Sequence, residues 1–130
     1  MKNGLTRKLI GFAGALTLGA GLMVAVAGPA SAAVCSGSHL DNWPITGGYI
    51  AVYYNSSTGN NCAMTYTNKP GKKQYIKVDI WTTTASKRDA GNYTTYAGPV
   101  SVYGKGKCVN FQGQVGANSP TEGFGPAYCS

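Results

Sequence analysis

The sequence predicts a small all-β protein, an antiparallel β-sandwich of six or seven short strands held by two disulfides. No stretch shows the apolar spacing of an amphipathic helix. Gly, Pro, Asn, Ser and Thr interrupt the chain at intervals of about eight to twelve residues, which is typical of a sandwich or barrel. Four cysteines form an even set, as expected for disulfides in a small exported domain.

The N-terminal segment has the three-part order of a signal peptide. Three basic residues precede an uncharged stretch over residues 9–27, and small residues follow at Ala30 and Ala32. We expect cleavage after Ala32, since no basic stop-transfer cluster follows to favour the alternative, a retained membrane anchor. The sequence therefore predicts a signal peptide over residues 1–32, one secreted domain over residues 33–130, and no membrane association after cleavage.

The mature domain is mildly basic. Removal of the three basic residues of the leader leaves eight Lys and Arg against four acidic residues, a net charge of +4. This charge is too small and too dispersed to predict nucleic-acid binding, but it favours anionic surfaces such as cell-wall polymers. About a hundred residues suffice for one domain and not for two. Neither the charge nor the length of the domain determines its oligomeric state.

The clearest strand covers residues 75–81. Ile76, Val78 and Ile80 alternate with its other side chains, and successive side chains of a strand point to opposite faces. We expect these three in the core and the remaining side chains on a surface face. The polar residues 87–92 are typical of a turn. The other predicted strands cover residues 49–54, 62–67, 93–96, 100–103 and 108–115, and residues 124–129 could close the sheet as an edge strand.

The four cysteines allow three pairings. A Cys108–Cys129 bond would join opposite arms of a hairpin and leave Cys35 to tie the N-terminal segment to Cys62, and we favour this pairing over the other two. A zinc site lacks support, because there is no Cys-x-x-Cys pair and His39 is the one histidine of the sequence. We expect no metal and no cofactor.

The inventory of acid and base groups is poor for an enzyme. Asp79 is expected to be a solvated surface charge, and Asp89 falls in the predicted turn. His39 with Asp41 or Glu122 could build a hydrolase or nuclease site, which is the enzymatic alternative. A surface loop explains His39 and Asp41 equally well, so we predict a non-enzymatic protein with no catalytic residue.

Tyr75, Lys77 and Trp81 share the surface face of the clearest strand. Exposed aromatic rings stack on sugars in many small β-domains, so these residues form a possible binding face, and a small carbohydrate-binding module is an alternative function. The competing interpretation is that Trp81 is covered by a loop or by a second sheet, because tryptophan is highly buried on average. We favour burial of Trp81 over an open binding face for this reason.

Two stretches, residues 53–65 and 96–109, combine turn residues, tyrosines and a cysteine in a fixed arrangement: YYNSSTGNNCAMT and YAGPVSVYGKGKCV. In them the chain resembles the spore-associated protein A family, small exported proteins of filamentous actinobacteria. The resemblance implies an extracellular location, at the spore surface, and carries over no catalytic residue. We therefore expect a secreted, non-enzymatic protein of the spore or cell surface whose partners are cell-wall or spore-surface polymers.

Overall fold

The computed structural model describes residues 34–129, and the predicted signal peptide over residues 1–32 lies outside them. Within the described range the chain forms eight strands: β1 (Ser38–Ile45), β2 (Gly48–Asn55), β3 (Asn60–Thr67), β4 (Gln74–Trp81), β5 (Ser86–Tyr93), β6 (Tyr96–Tyr103), β7 (Val109–Val115) and β8 (Glu122–Ala127). They pair antiparallel in two four-stranded sheets, in the orders β1-β2-β3-β6 and β5-β4-β7-β8. No helix in residues 34–129 is long and apolar enough to span a membrane.

The inner faces of the two sheets form one hydrophobic core. The first sheet contributes Ile50 among others, and the second contributes Phe111 and the predicted inward row of β4, all fully buried. Each buried side chain of this size stabilises the fold by roughly 1.5–3 kcal/mol through removal of apolar surface from water. The predicted all-β sandwich is confirmed, with Ile76, Val78 and Ile80 at its centre.

The structure has eight strands, whereas the sequence predicts six or seven. The difference arises because two edge strands, β1 in the first sheet and β5 in the second, are polar and do not look like strands in the sequence. β1 and β5 each pair on one side only, and their side chains are largely exposed. An edge strand with a solvated face needs no apolar alternation, so its sequence resembles a loop. The predicted turn over residues 87–92 is therefore wrong: the segment lies in β5, where Asp89 accepts hydrogen bonds from Tyr93 Oη and Gly98 N. The two strands predicted over residues 93–96 and 100–103 have different bounds in the structure. Residue 93 is the last of β5, and residues 96–103 form the single strand β6, which continues through Gly98.

Both disulfides form in the favoured pairing, which is confirmed. Cys35–Cys62 joins the N-terminal segment to β3, with the two Cα atoms 5.8 Å apart. Cys108–Cys129 joins the residues that flank the β7–β8 hairpin, with Cα atoms 4.0 Å apart. The bridges therefore close one loop in each sheet.

Candidate functional site

The outer face of the second sheet brings together polar side chains from three strands. β4 lies between β5 and β7, so Lys77, Asp79 and Trp81 each have one neighbour on either side. Asp79 lies opposite Arg88 and Gln112, and Trp81 lies opposite Ser86 and Asn110. The register of the two strand pairs therefore places an acid, a base and an amide beside a tryptophan.

Asp79 is not the solvated charge that the sequence predicts. Only 6% of the surface of Asp79 is exposed to solvent. Arg88 Nε donates to its Oδ1 at 2.5 Å, and Gln112 Nε2 donates to its Oδ2 at 2.8 Å. A buried carboxylate needs such partners, since it has lost its hydration. The hydrogen bond and then the charge of Asp79 raise the pKa of Arg88, whose side chain is 62% exposed.

A cleft of about 410 Å³ opens beside this ion pair, and we name it the Trp81 cleft. Trp81 itself is half-buried, so neither complete burial nor full exposure describes it. The cleft therefore combines an accessible part of an indole ring with charged and amide groups. Its lining includes Asp79, Trp81, Ser86, Lys87, Arg88 and Gln112.

The other two residues of the possible binding face lie further along β4. Tyr75 and Lys77 are half-buried, and Lys77 Nζ donates to Thr121 Oγ1 at 2.9 Å. Tyr75 is six residues from Trp81, which corresponds to about 20 Å along a strand. The three residues share a face, but they do not form one compact site.

His39, Asp41 and Glu122 each bond to a different group of the chain. His39 Nε2 lies 2.8 Å from Asn42 Oδ1, and Asp41 Oδ1 accepts from the Asn42 amide. Glu122 Oε2 accepts from the backbone N–H of Thr46 at 2.6 Å. Among the described residues no hydrogen bond joins the histidine to a carboxylate, and residues 34–129 hold no cluster of three or more His, Cys, Asp or Glu suited to a metal.

The Glu122–Thr46 contact predicts a pH dependence of stability. The N–H of Thr46 lowers the pKa of Glu122 below its ordinary value of about 4.5. A carboxylate with a depressed folded-state pKa stabilises the fold above its unfolded pKa, and this contribution is lost as the pH falls through the folded value. We expect Glu122→Gln to lower the melting temperature at pH 7 but to lose less on acidification to pH 3 than the wild type. Thermal melts at pH 3–7 measure this, and parallel curves for the two proteins would contradict it.

The outer face of the first sheet carries a row of tyrosines that the sequence pattern does not predict. Tyr49 and Tyr66 are stacked with ring centroids 5.2 Å apart, and Tyr96 follows at 5.5 Å from Tyr66. Burial, followed by the neighbouring phenols, raises the pKa of Tyr66. Tyr49 and Tyr66 each cover one face of the other ring, which makes this pair a poor stacking platform for a ligand. Only the cross-strand register reveals it, because the three residues lie on different strands.

A larger cleft of about 520 Å³ lies between β1–β3 and the C-terminal segment. Leu40, Tyr54 and Tyr128 give it a largely apolar wall, and Asn61 adds an amide that donates to the carbonyl of Tyr53. No acidic side chain lines it in the described part of the chain. The Trp81 cleft, which joins an aromatic ring to a fixed ion pair, is therefore the better candidate for specific recognition.

Comparison with known proteins identifies a relative. Spore-associated protein A of Streptomyces coelicolor is 35% identical in an alignment that covers 76% of this chain and 73% of the relative. No family model and no solved structure matches the chain. Identity at this level over most of both chains confirms the resemblance to this family that the sequence suggested. The chain belongs to the spore-associated protein A family.

Proposed function

We propose that the chain is exported and acts as a non-enzymatic protein at the spore or cell surface of a filamentous actinobacterium. The observation that carries this proposal is its kinship with spore-associated protein A, whose name places that relative with spores. Two further features support export. Residues 1–32 have the pattern of a signal peptide, and two disulfides suit an oxidising exterior.

The arrangement of the charged groups supports a binding role over a catalytic one. A hydrolytic site needs its base, its nucleophile and their orienting group within mutual hydrogen-bond reach. His39 and Asp41 are both bonded to Asn42, and Glu122 is bonded to Thr46. Asp79 is held on both oxygens by Arg88 and Gln112. Each of these groups is hydrogen-bonded to a structural partner. This arrangement favours a protein that is retained at a surface by non-covalent binding over one that catalyses a reaction.

Cell fractionation tests the proposal. We expect the full-length chain, expressed in a sporulating host and detected by antibody, in the washed-spore or wall fraction. Its intact mass should equal that of residues 33–130 with four fewer hydrogens, one pair for each disulfide. The matched control is the chain without residues 1–32, which should stay inside the cell. Recovery of the full-length chain only from the medium or only from the cytosol would contradict the proposal.

A further inference from the structure

We propose that the Trp81 cleft binds a polysaccharide: Trp81 stacks on a sugar ring, Arg88 and Gln112 hydrogen-bond its hydroxyls, and Asp79 positions both. This inference rests on the proposed surface function, because it names the chemistry of the polymer that the protein would hold. The occupant is a hydroxyl-rich chain of several sugars. Four features of the structure support this choice.

The first feature is the contrast between the two tryptophans. Trp43 packs against Phe111 and Phe124, and its Nε1 donates to Tyr128 Oη. Trp81 belongs to no aromatic pair among the described residues and does not pack against the core cluster. Trp43 is therefore a structural residue. Trp81 lines a cleft with its side chain partly exposed, and an exposed indole suits the C–H face of a pyranose.

The second feature is the orientation of Arg88 and Gln112. Asp79 accepts from Arg88 through Nε and from Gln112 through Nε2, so each planar group is fixed by one of its nitrogens. Both side chains line the cleft, and neither of these hydrogen bonds uses the terminal N–H groups of the guanidinium or the Oε1 of the amide. They supply donors and an acceptor in a rigid arrangement, which can bind neighbouring hydroxyls of one sugar. Asp79 acts through these two side chains and is a positioning residue.

The third feature is charge. The lining of the cleft contains Asp79, Lys87 and Arg88, a net charge of +1. Asp79 and Arg88 form an ion pair with no net charge, and Lys87 supplies the remaining positive charge of the lining. A neutral polysaccharide, or one with carboxylate or phosphate groups, is therefore compatible with the site, and a polycationic one is not.

The fourth feature is the length of the open face. From Trp81 to Tyr75 the strand extends about 20 Å, and both rings are partly accessible. A single sugar would occupy only the Trp81 end of this face. A chain that continues along β4 would pass Lys77 and reach Tyr75, so a polymer buries more surface than a monosaccharide does.

Binding to isolated walls tests the site. The probes are walls from washed spores, stripped of protein with detergent and protease, and soluble β-glucan and glycol chitin in affinity gels. We expect the oxidised domain of residues 33–130 to bind the walls, and Trp81→Ala to weaken this binding about tenfold or more, as loss of a central aromatic contact does. Tyr103→Ala is the matched control, because Tyr103 is an aromatic residue that is 50% exposed and lies in the first sheet. It should bind as the wild type does.

Separate variants test the contribution of the polar residues of the cleft to wall binding. Arg88→Lys keeps the charge but removes the planar fork, so we expect it to weaken binding about as much as Arg88→Ala. Gln112→Ala is the second variant should Trp81→Ala fail to fold, as judged by circular dichroism. Asp79→Asn should weaken binding less than Arg88→Ala does, because an amide oxygen can still hold Arg88. Full rescue of wall binding by Arg88→Lys would overturn the assignment of hydroxyl recognition to the guanidinium.

The outcomes separate this inference from the proposed function. A wild-type domain that binds none of the probes, or a folded Trp81→Ala that binds walls as tightly as Tyr103→Ala, overturns the inference. Fractionation of the same variants then tests the proposed function independently. Retention of Trp81→Ala at the spore surface would leave the surface function intact and reject the cleft. Release of Trp81→Ala into the medium, with Tyr103→Ala retained at the spore surface, would support both the cleft as the binding site and the proposed surface function.

Discussion

Truncation of Phe111 to Ala is expected to lower the free energy of unfolding by about 3 to 5 kcal/mol, the usual cost for a buried aromatic side chain. Phe111 is fully buried on β7 and lies 5.3 Å from Trp43, measured between ring centroids. Phe124 and Tyr128 contact the same ring at 6.0 and 6.3 Å. The truncation would leave a cavity where β1 of the first sheet meets β7 and β8 of the second.

The size of this loss matters because small domains are only marginally stable, by about 5 to 15 kcal/mol. Urea denaturation followed by tryptophan fluorescence measures it, since Trp43 reports directly on the ring it contacts. Tyr103→Ala is again the control, and a surface change of this kind is expected to stay within about 0.5 kcal/mol. Equal denaturation midpoints for the two variants would contradict the position of Phe111 at the centre of the core.

Removal of either disulfide is expected to cost about 3 to 4 kcal/mol, because each bridge restricts the unfolded chain. The partners are 27 residues apart in Cys35–Cys62 and 21 apart in Cys108–Cys129. Loop-closure entropy for loops of these lengths differs by only a few tenths of a kcal/mol. Burial therefore decides which loss is larger: Cys62 is buried, whereas Cys108 and Cys129 are exposed.

Paired Cys→Ala variants test this ranking. We expect the variant without Cys35 and Cys62 to unfold at the lower urea concentration, because it also loses the packing of a buried sulfur. The variant without Cys108 and Cys129 is the matched comparison, since it removes a bridge of similar loop length from exposed positions. The reverse order would show that the β7–β8 hairpin depends on its bridge more than the N-terminal segment does.

The central part of the fold follows directly from the sequence. β4 alternates β-branched and polar residues, and a period of two with one apolar face can satisfy burial in one way only. The pairing of the cysteines followed from the hairpin that Cys108 and Cys129 flank. These features are local, because they depend on residues within one strand or one hairpin. The polar edge strands β1 and β5 lack such a signal, so the sequence does not predict them.

The sequence alone thus determined the fold class and the inward row of β4, and it favoured the correct one of three disulfide pairings. Only the tertiary structure decided the environment of the outward row. Asp79 appeared to be a surface charge because its partners lie 9 and 33 residues away, on the two strands that flank β4. Which side chains cover a carboxylate depends on strand order and register, and both are set by the packing of the whole sandwich. The Trp81 cleft exists because that register places Arg88 and Gln112 on either side of Asp79.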